Sequence, residues 1–278
     1  MNIKDELKEI DILKDFLKEH KLAFETKKSL EEDFKLRYTN DSNAIEGNTL
    51  TLFETKAVLE GMTIDGKSVR EHLETINHSQ AIDFMIKLAK TNTALNALDI
   101  KSLHQIVLQS IDSRNAGVYR NVDVIISGAK HIPPNHLNVV FEMERFLNWY
   151  KNEARELHPV IRASRVHIDF VGIHPFVDGN GRMSRLLLNY ELVKNGYPPI
   201  NIKYSAKVQY FEALEEACYS KNFEKFDLLV INEVKKELEK RKHFALENEK
   251  NEEQENCNRE PHLLIEVGAS LLKPTNVS

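Results

Sequence analysis

Apolar residues recur every three to four positions along most of the chain, with charged residues between them. That is the period of a helix buried on one side. Ile3, Leu7, Ile10, Leu13 and Leu17 form the first stripe, set among Lys and Glu. A second helix is expected over ~28–46, with Leu30, Phe34 and Tyr38 on one face and a stop at Gly47. Thr51-Leu-Phe-Glu54 reads as a capping box opening a helix that ends near Gly61. The same period predicts helices over ~70–90, ~99–110, ~136–153, Pro159 to about Phe170, ~180–195, ~205–219 and ~222–243. Pro159 suits a first helical turn, and Asn195-Gly196 before Pro198-Pro199 suits a stop.

One segment breaks this period. Gly117-Val-Tyr-Arg-Asn-Val-Asp-Val-Ile-Ile-Ser-Gly-Ala-Lys-His-Ile-Pro-Pro134 is rich in β-branched residues around a Ser-Gly turn signal. It predicts a short β-hairpin in an otherwise all-α chain, with a plain surface connector as the alternative. Beyond ~245 the run Glu-Asn-Glu-Lys-Asn-Glu-Glu-Gln-Glu-Asn is polar and acidic, which predicts a solvated, disordered link. The apolar piece Leu263–Val267 after it is left open as a docked strand or a loose segment. No internal repeat is present.

Composition narrows the class. The 278 residues are 41% hydrophobic, enough for a sizeable core. Net charge is −5, from 38 basic and 43 acidic residues, so no global basic footprint points to nucleic acid. Two cysteines, Cys218 and Cys257, exclude a disulfide framework and a zinc-finger spacing. No apolar run reaches the ~18 residues of a membrane span, and no signal-peptide core opens the chain. These readings lead to the expectation of a soluble cytoplasmic protein.

The chemistry concentrates in His174-Pro-Phe-Val-Asp-Gly-Asn-Gly-Arg-Met-Ser-Arg185. A glycine-rich turn feeding a helix N-terminus favours anions, because free N–H groups and the helix dipole act together. Arg182 and Arg185 share a helix face. Asp178 suits a Mg²⁺ carried on phosphates, and His174 suits proton abstraction. Phe176 is read as a core residue that fixes the loop. The string therefore reads as a phosphate cradle beside a base. His158 and His167 stand nine apart on one predicted helix and face different ways, which argues against a metal site with His174. Asp169 and His167 are read as supports of the loop that carries His174.

This string resembles the signature of Fic (Fido) proteins, which transfer AMP from ATP to hydroxyl side chains of other proteins. The resemblance extends over roughly residues 96–233 and includes Gly117-Val-Tyr-Arg120 to His131-Ile-Pro-Pro134, similar to the family's β-hairpin flap, and Gly196-Tyr-Pro-Pro199. Ser42-Asn-Ala-Ile-Glu46-Gly47-Asn48 is similar to the family's inhibitory motif. The resemblance implies a mainly helical Fic fold with one short β-hairpin flap. It implies an N-terminal helical region (1–95) with the inhibitory motif, a Fic core (96–233) and a C-terminal helix end with an acidic tail (234–278). It assigns His174 as catalytic base. It assigns Asp178, Gly179, Asn180, Gly181, Arg182, Met183, Ser184 and Arg185 to ATP and its phosphates, with Asp178 holding Mg²⁺ or Mn²⁺. Tyr210 and Phe211 fall on the adenine side, and Cys218 stands where some relatives have an adenine-binding Asn. Ile125, Ile126, Ser127 and Gly128 would dock a target backbone, and Ser42, Glu46 and Gly47 would block the ATP site.

The implied function is a self-inhibited protein adenylyltransferase acting on a Ser, Thr or Tyr hydroxyl. Its partners would be ATP, an unidentified protein target and the chain itself through self-modification. A homodimer is admissible, and neither membrane nor nucleic acid is expected. Two alternatives stay open: removal of AMP through the same pocket, and a nucleotide-sensing interaction module.

Overall fold

The computed structural model describes residues 2–91 and 93–269, with side chains as far as residue 251. Among the described residues ten α-helices follow one another: α1 (Ile3–Glu19), α2 (Phe24–Ile45), α3 (Leu52–Leu59), α4 (Val69–Ala89), α5 (Ala97–Val107), α6 (Val139–Asn152), α7 (Pro159–Ile173), α8 (Asn180–Lys194), α9 (Lys207–Tyr219) and α10 (Glu224–Ala269). No helix among the described residues is long and apolar enough to cross a membrane.

Side-chain caps account for five of these helix starts. Asn2, Thr51, Ser68 and Asn96 each accept a hydrogen bond from a first-turn N–H. The last three form reciprocal capping boxes with Glu54, Glu71 and Asp99. His158 caps α7 ahead of Pro159. α8 differs: it starts from Gly179 at φ 80° with no side-chain cap. Its first N–H groups are left without helical acceptors.

α7 and α8 form the central pair, and each has apolar residues on two sides. Val166 and Phe170 of α7, with Met183 and Leu187 of α8, join a core with α4, α5 and α6. Ile168 and Val171 of α7, with Leu188 and Leu192 of α8, join a second core with α1, α9 and α10. A helix apolar all round must be buried all round, and α8 is. Buried polar pairs fix the register. Glu191 of α8 accepts from Tyr150 Oη at 2.6 Å and from Arg162. Asp227 of α10 accepts from both Nη atoms of Arg165, at 2.5 and 2.8 Å, and from Ser164.

The expected hairpin is corrected: residues 117–134 contain no strand. The turn is present, since the Ala129 N–H donates to Ile126 O at 3.1 Å with Gly128 at φ 82°. The ladder is replaced by side chains. Arg120 donates to Val122 O on one arm and to Pro134 O on the other. Pro133 and Pro134 lack the N–H groups a ladder needs. The segment is thus an open flap laced by one guanidinium.

The last helix also departs from the expectation. α10 continues past ~243 through the acidic stretch, whose Glu, Lys and Gln are good helix formers. Buried Ala245 and the bond between His20 and Glu249 (2.7 Å) tie its middle to the body. Leu263–Val267 falls within the helical span.

Candidate active site

His174 closes α7 in the left-handed conformation (φ 51°), its N–H bonded to Phe170 O at 3.1 Å. The helix thus ends abruptly and the imidazole turns off its axis. Nδ1 lies 3.2 Å from the Val171 carbonyl. A carbonyl only accepts, so Nδ1 carries the proton and Nε2 keeps its lone pair. Burial, reinforced by the Arg120 charge, holds the His174 pKa below the usual value, against the opposing Val171 bond. The side chain is a neutral base at pH 7.

Arg120 positions the loop that carries this base. Its buried guanidinium donates from Nε to His174 O at 2.8 Å, and its own N–H donates to Pro175 O at 2.9 Å. His104 braces the next turn. Its ring stacks on buried Phe176 with centroids 3.5 Å apart. Nδ1 accepts from Gly117 N–H at 2.9 Å, so Nε2 donates to Asp178 O at 3.0 Å. Burial pushes its pKa down to about 4, which keeps it neutral. A Cβ at Gly179 would press on this ring, so the turn needs glycine for space as well as for φ.

The Asn180 side chain closes the same loop, bonding the Phe176 N–H and carbonyl at 3.0 and 2.8 Å. What this stretch offers an anion is therefore main-chain N–H. Met183 and Ser184, grouped above with the phosphate residues, point inward. Met183 is fully buried, and the Ser184 hydroxyl meets Gly181 O and His167 Nε2 at 2.9 and 3.1 Å. Each step along a helix turns ~100°, so Met183 lies opposite Gly181, while the Ser184 hydroxyl is spent on contacts inside the fold.

Asp178 faces cations. Its Oδ2 accepts from Arg70 at 2.5 Å, its Oδ1 from Gly179 N–H at 2.5 Å and from Arg182 at 3.4 Å. Burial alone would raise its pKa, but Arg182, the Gly179 N–H and Arg70 outweigh it and hold the carboxyl below its usual value. Arg182 is buried, lies 3.6 Å from Glu74, and has no hydrogen-bond acceptor for Nε or Nη1 among the described residues. Such donors suit an anion's oxygens. Among the described residues no three His, Cys, Asp or Glu side chains converge as a ready metal cage. Mg²⁺ commonly takes one carboxylate plus substrate phosphates and water, so Asp178 fits as its protein ligand.

Arg185 is buried with every nitrogen engaged. Nε donates to Ser42 Oγ at 2.9 Å, Nη2 to Ser42 O at 2.9 Å and Glu46 Oε1 at 2.7 Å, and Nη1 to Tyr210 Oη at 3.4 Å. The Glu46 carboxylate, 36% exposed, also lies over Gly181, where a Cβ would run into it. It thus occupies both the α8 N-terminus and the Arg185 fork. Gly47, at φ 105°, turns the chain away from α2 beyond this carboxylate.

Glu46, His174, Gly181 and Arg185 share a cleft of about 430 Å³ with Phe211 and Cys218, while Asp178 and Arg182 are not among its lining residues. Ile126, Ser127 and Gly128 form its flap side, while Ile125 points to solvent at 90% exposure. Tyr210 is buried in the inner wall of the cleft, its hydroxyl 2.9 Å from His167 Nε2, whereas Phe211 is half exposed on the wall. Among the described residues Asp169 makes no hydrogen bond to the base loop, and His167 bonds Tyr210 and Ser184 instead of that loop. Arg70, Glu74, His104 and the clamp role of Arg120 were not legible in the motif. The Ser68–Glu71 box signals the start of α4, but no local rule brings that helix to residue 178.

Three comparisons bear on this geometry. Residues 94–192 match the model of the Fic/DOC family. A curated relative, "Protein adenylyltransferase Fic" of Drosophila melanogaster, is 40% identical over 178 residues, 63% of this chain. The chain spans 36% of that relative's length. Among solved structures, a Fic domain containing signaling protein from Bacteroides thetaiotaomicron superposes with a TM-score of 0.78 at 27% identity, covering 85% of this chain and 96% of that one. A glutamate-to-glycine form of Fic-1 from C. elegans is 30% identical, with a TM-score of 0.74 and coverage of 85% and 71%.

Proposed function

The chain belongs to the Fic/DOC family, and from that premise we propose that it is a self-inhibited protein adenylyltransferase. The observation that carries this reading is the convergence, in one cleft, of a neutral histidine with a free Nε2, an uncapped helix N-terminus and a buried arginine.

In this reading the triphosphate lies along the N-terminus of α8, where main-chain N–H groups, Arg182 and Arg185 meet its oxygens. The target hydroxyl sits against the flap. It attacks the α-phosphorus in line, its proton passes to His174 Nε2, and the bond from the α-phosphorus to the β-bridging oxygen breaks, releasing pyrophosphate. Asp178 would hold Mg²⁺, which neutralises phosphate charge when bound. Arg70 must then give up Asp178 Oδ2. Phe211 supplies an aromatic wall on the adenine side, and Cys218 is a weak hydrogen-bond partner for a base.

Glu46 restrains the reaction. Its carboxylate takes the Arg185 fork and covers Gly181 at the helix N-terminus, space that the γ-phosphate requires. The same carboxylate, facing the cleft that holds His174, supports a second reading in which it orients a water that removes AMP from a modified protein. Protein hydroxyls as acceptors, self-modification and a cytoplasmic setting belong to this proposal. Incubation with ATP labelled at the α-phosphate, with Mg²⁺, tests it: label on protein supports transfer, and tight binding without label favours a sensing module.

A further inference from the structure

Beside the cleft lies a groove of about 740 Å³ with no part in the chemistry above. α6 forms one wall, α7 the floor, and Cys218 and Lys221 the far side. His131 and Cys218 line both the cleft and the groove, so a low saddle separates them. The His131 ring fixes that saddle by bonding Gly172 O at 2.8 Å. The flap side of the cleft therefore adjoins the groove.

Its lining is apolar with an acidic excess. Phe141 is 62% and Ile132 81% exposed, and Trp149 lines the wall between them and Glu153. Exposed apolar side chains gathered beside a cleft mark an interaction surface. Four carboxylates (Glu142, Glu144, Glu153, Asp169) face two cations (Arg145, Lys221), and Glu142 is already paired with Arg145 at 2.6 Å. Asp169 is the informative one. It sits on the floor, half-buried, and makes no hydrogen bond or ion pair among the described residues. Burial raises its pKa, with Lys221, Arg165 and Arg145 only partly offsetting this. A half-buried carboxylate with no protein partner can accept from a cation on a bound chain.

Resting on the transferase reading, we propose that this groove selects the target: it receives a protein segment bearing Lys or Arg beside an apolar residue, with the cation on Asp169 and the apolar side chain against Phe141 and Trp149. Spacing follows from the helix. Asp169 lies on α7 and His174 is its C-cap, five residues on; the rise is at most ~7.5 Å, the two side chains are also turned apart around the axis, and an extended chain advances ~3.3 Å per residue. The basic residue thus stands roughly two to four positions from the acceptor hydroxyl.

The test uses the full chain carrying Glu46→Gly, α-labelled ATP and Mg²⁺. The probes are synthetic eleven-residue peptides with a central Ser, Thr or Tyr, a Leu, and either Arg or Glu at each flanking position in turn. Arg two to four positions from the acceptor should raise kcat/KM over Glu by roughly 10- to 100-fold, the range of one charge-assisted hydrogen bond. Adding Asp169→Asn should erase that preference, adding Asp169→Lys should reverse it, and ATP affinity should stay unchanged in both. Equal labelling of Arg and Glu peptides overturns the proposal. So does self-labelling of the protein with no peptide labelled at all. Loss of all labelling in the Glu46→Gly chain would instead count against the transferase reading.

Discussion

At the residue scale the account rests on His174. With Nδ1 committed to Val171, Nε2 is the only ring nitrogen free to take a proton. His174→Ala should lower transfer about 10²- to 10⁴-fold, the usual contribution of a positioned base, and leave ATP affinity nearly unchanged; single-turnover labelling beside nucleotide titration separates the two. Because burial depresses its pKa, His174 stays neutral below the usual histidine midpoint. The rate should hold as pH falls through ~6.5 and drop only at more acid values; a pH–rate profile of the Glu46→Gly chain with its midpoint above that value would contradict the effect of burial on His174. Asp178→Ala and EDTA should each abolish transfer, and full activity in EDTA would remove the metal from the mechanism. His174 to Arg185 was legible because these residues are adjacent in the chain and their chemistry is local. Arg70 and His104 were not, since they reach Asp178 across 108 and 74 residues. Contacts of that span are set by helix packing, which no short pattern encodes.

At the scale of elements, α2 is the restraint. Ser42 and Glu46 are four apart at its end and face Arg185 together. A charge-assisted pair of this kind is worth roughly 1.5–3 kcal/mol, or about ten- to a hundredfold in the population able to bind the triphosphate productively. Glu46→Gly should raise self-labelling by that factor, Arg185→Ala should not, and the double variant should behave like Arg185→Ala. Equal labelling by parent and Glu46→Gly chains at saturating ATP and Mg²⁺ would reduce residues 42–48 to an ordinary helix end. The helices themselves were readable from period and caps: the Thr51–Glu54 box forms as written. The flap was misread because β-branched composition says where a chain extends, not what it pairs with. Here Arg120 supplies the cross-link instead.

For the whole molecule, α7 and α8 carry the loop between them, so what fixes this pair fixes the site. Glu191 is fully buried and joins Tyr150, Arg162 and Asn195. Glu191→Ala would strand Arg162 and should cost about 3–5 kcal/mol, as for a broken buried pair; denaturant unfolding measures it, and a loss under 1 kcal/mol would refute the pinning role. The central claim, a histidine-driven AMP transfer held in check by Glu46, is tested most directly by intact-protein mass spectrometry. Parent, Glu46→Gly and Glu46→Gly/His174→Ala chains are incubated with ATP and Mg²⁺ and weighed. The account predicts the mass increment of AMP on the Glu46→Gly chain, little on the parent and none on the double variant. Equal increments on all three, or none on any, would contradict it.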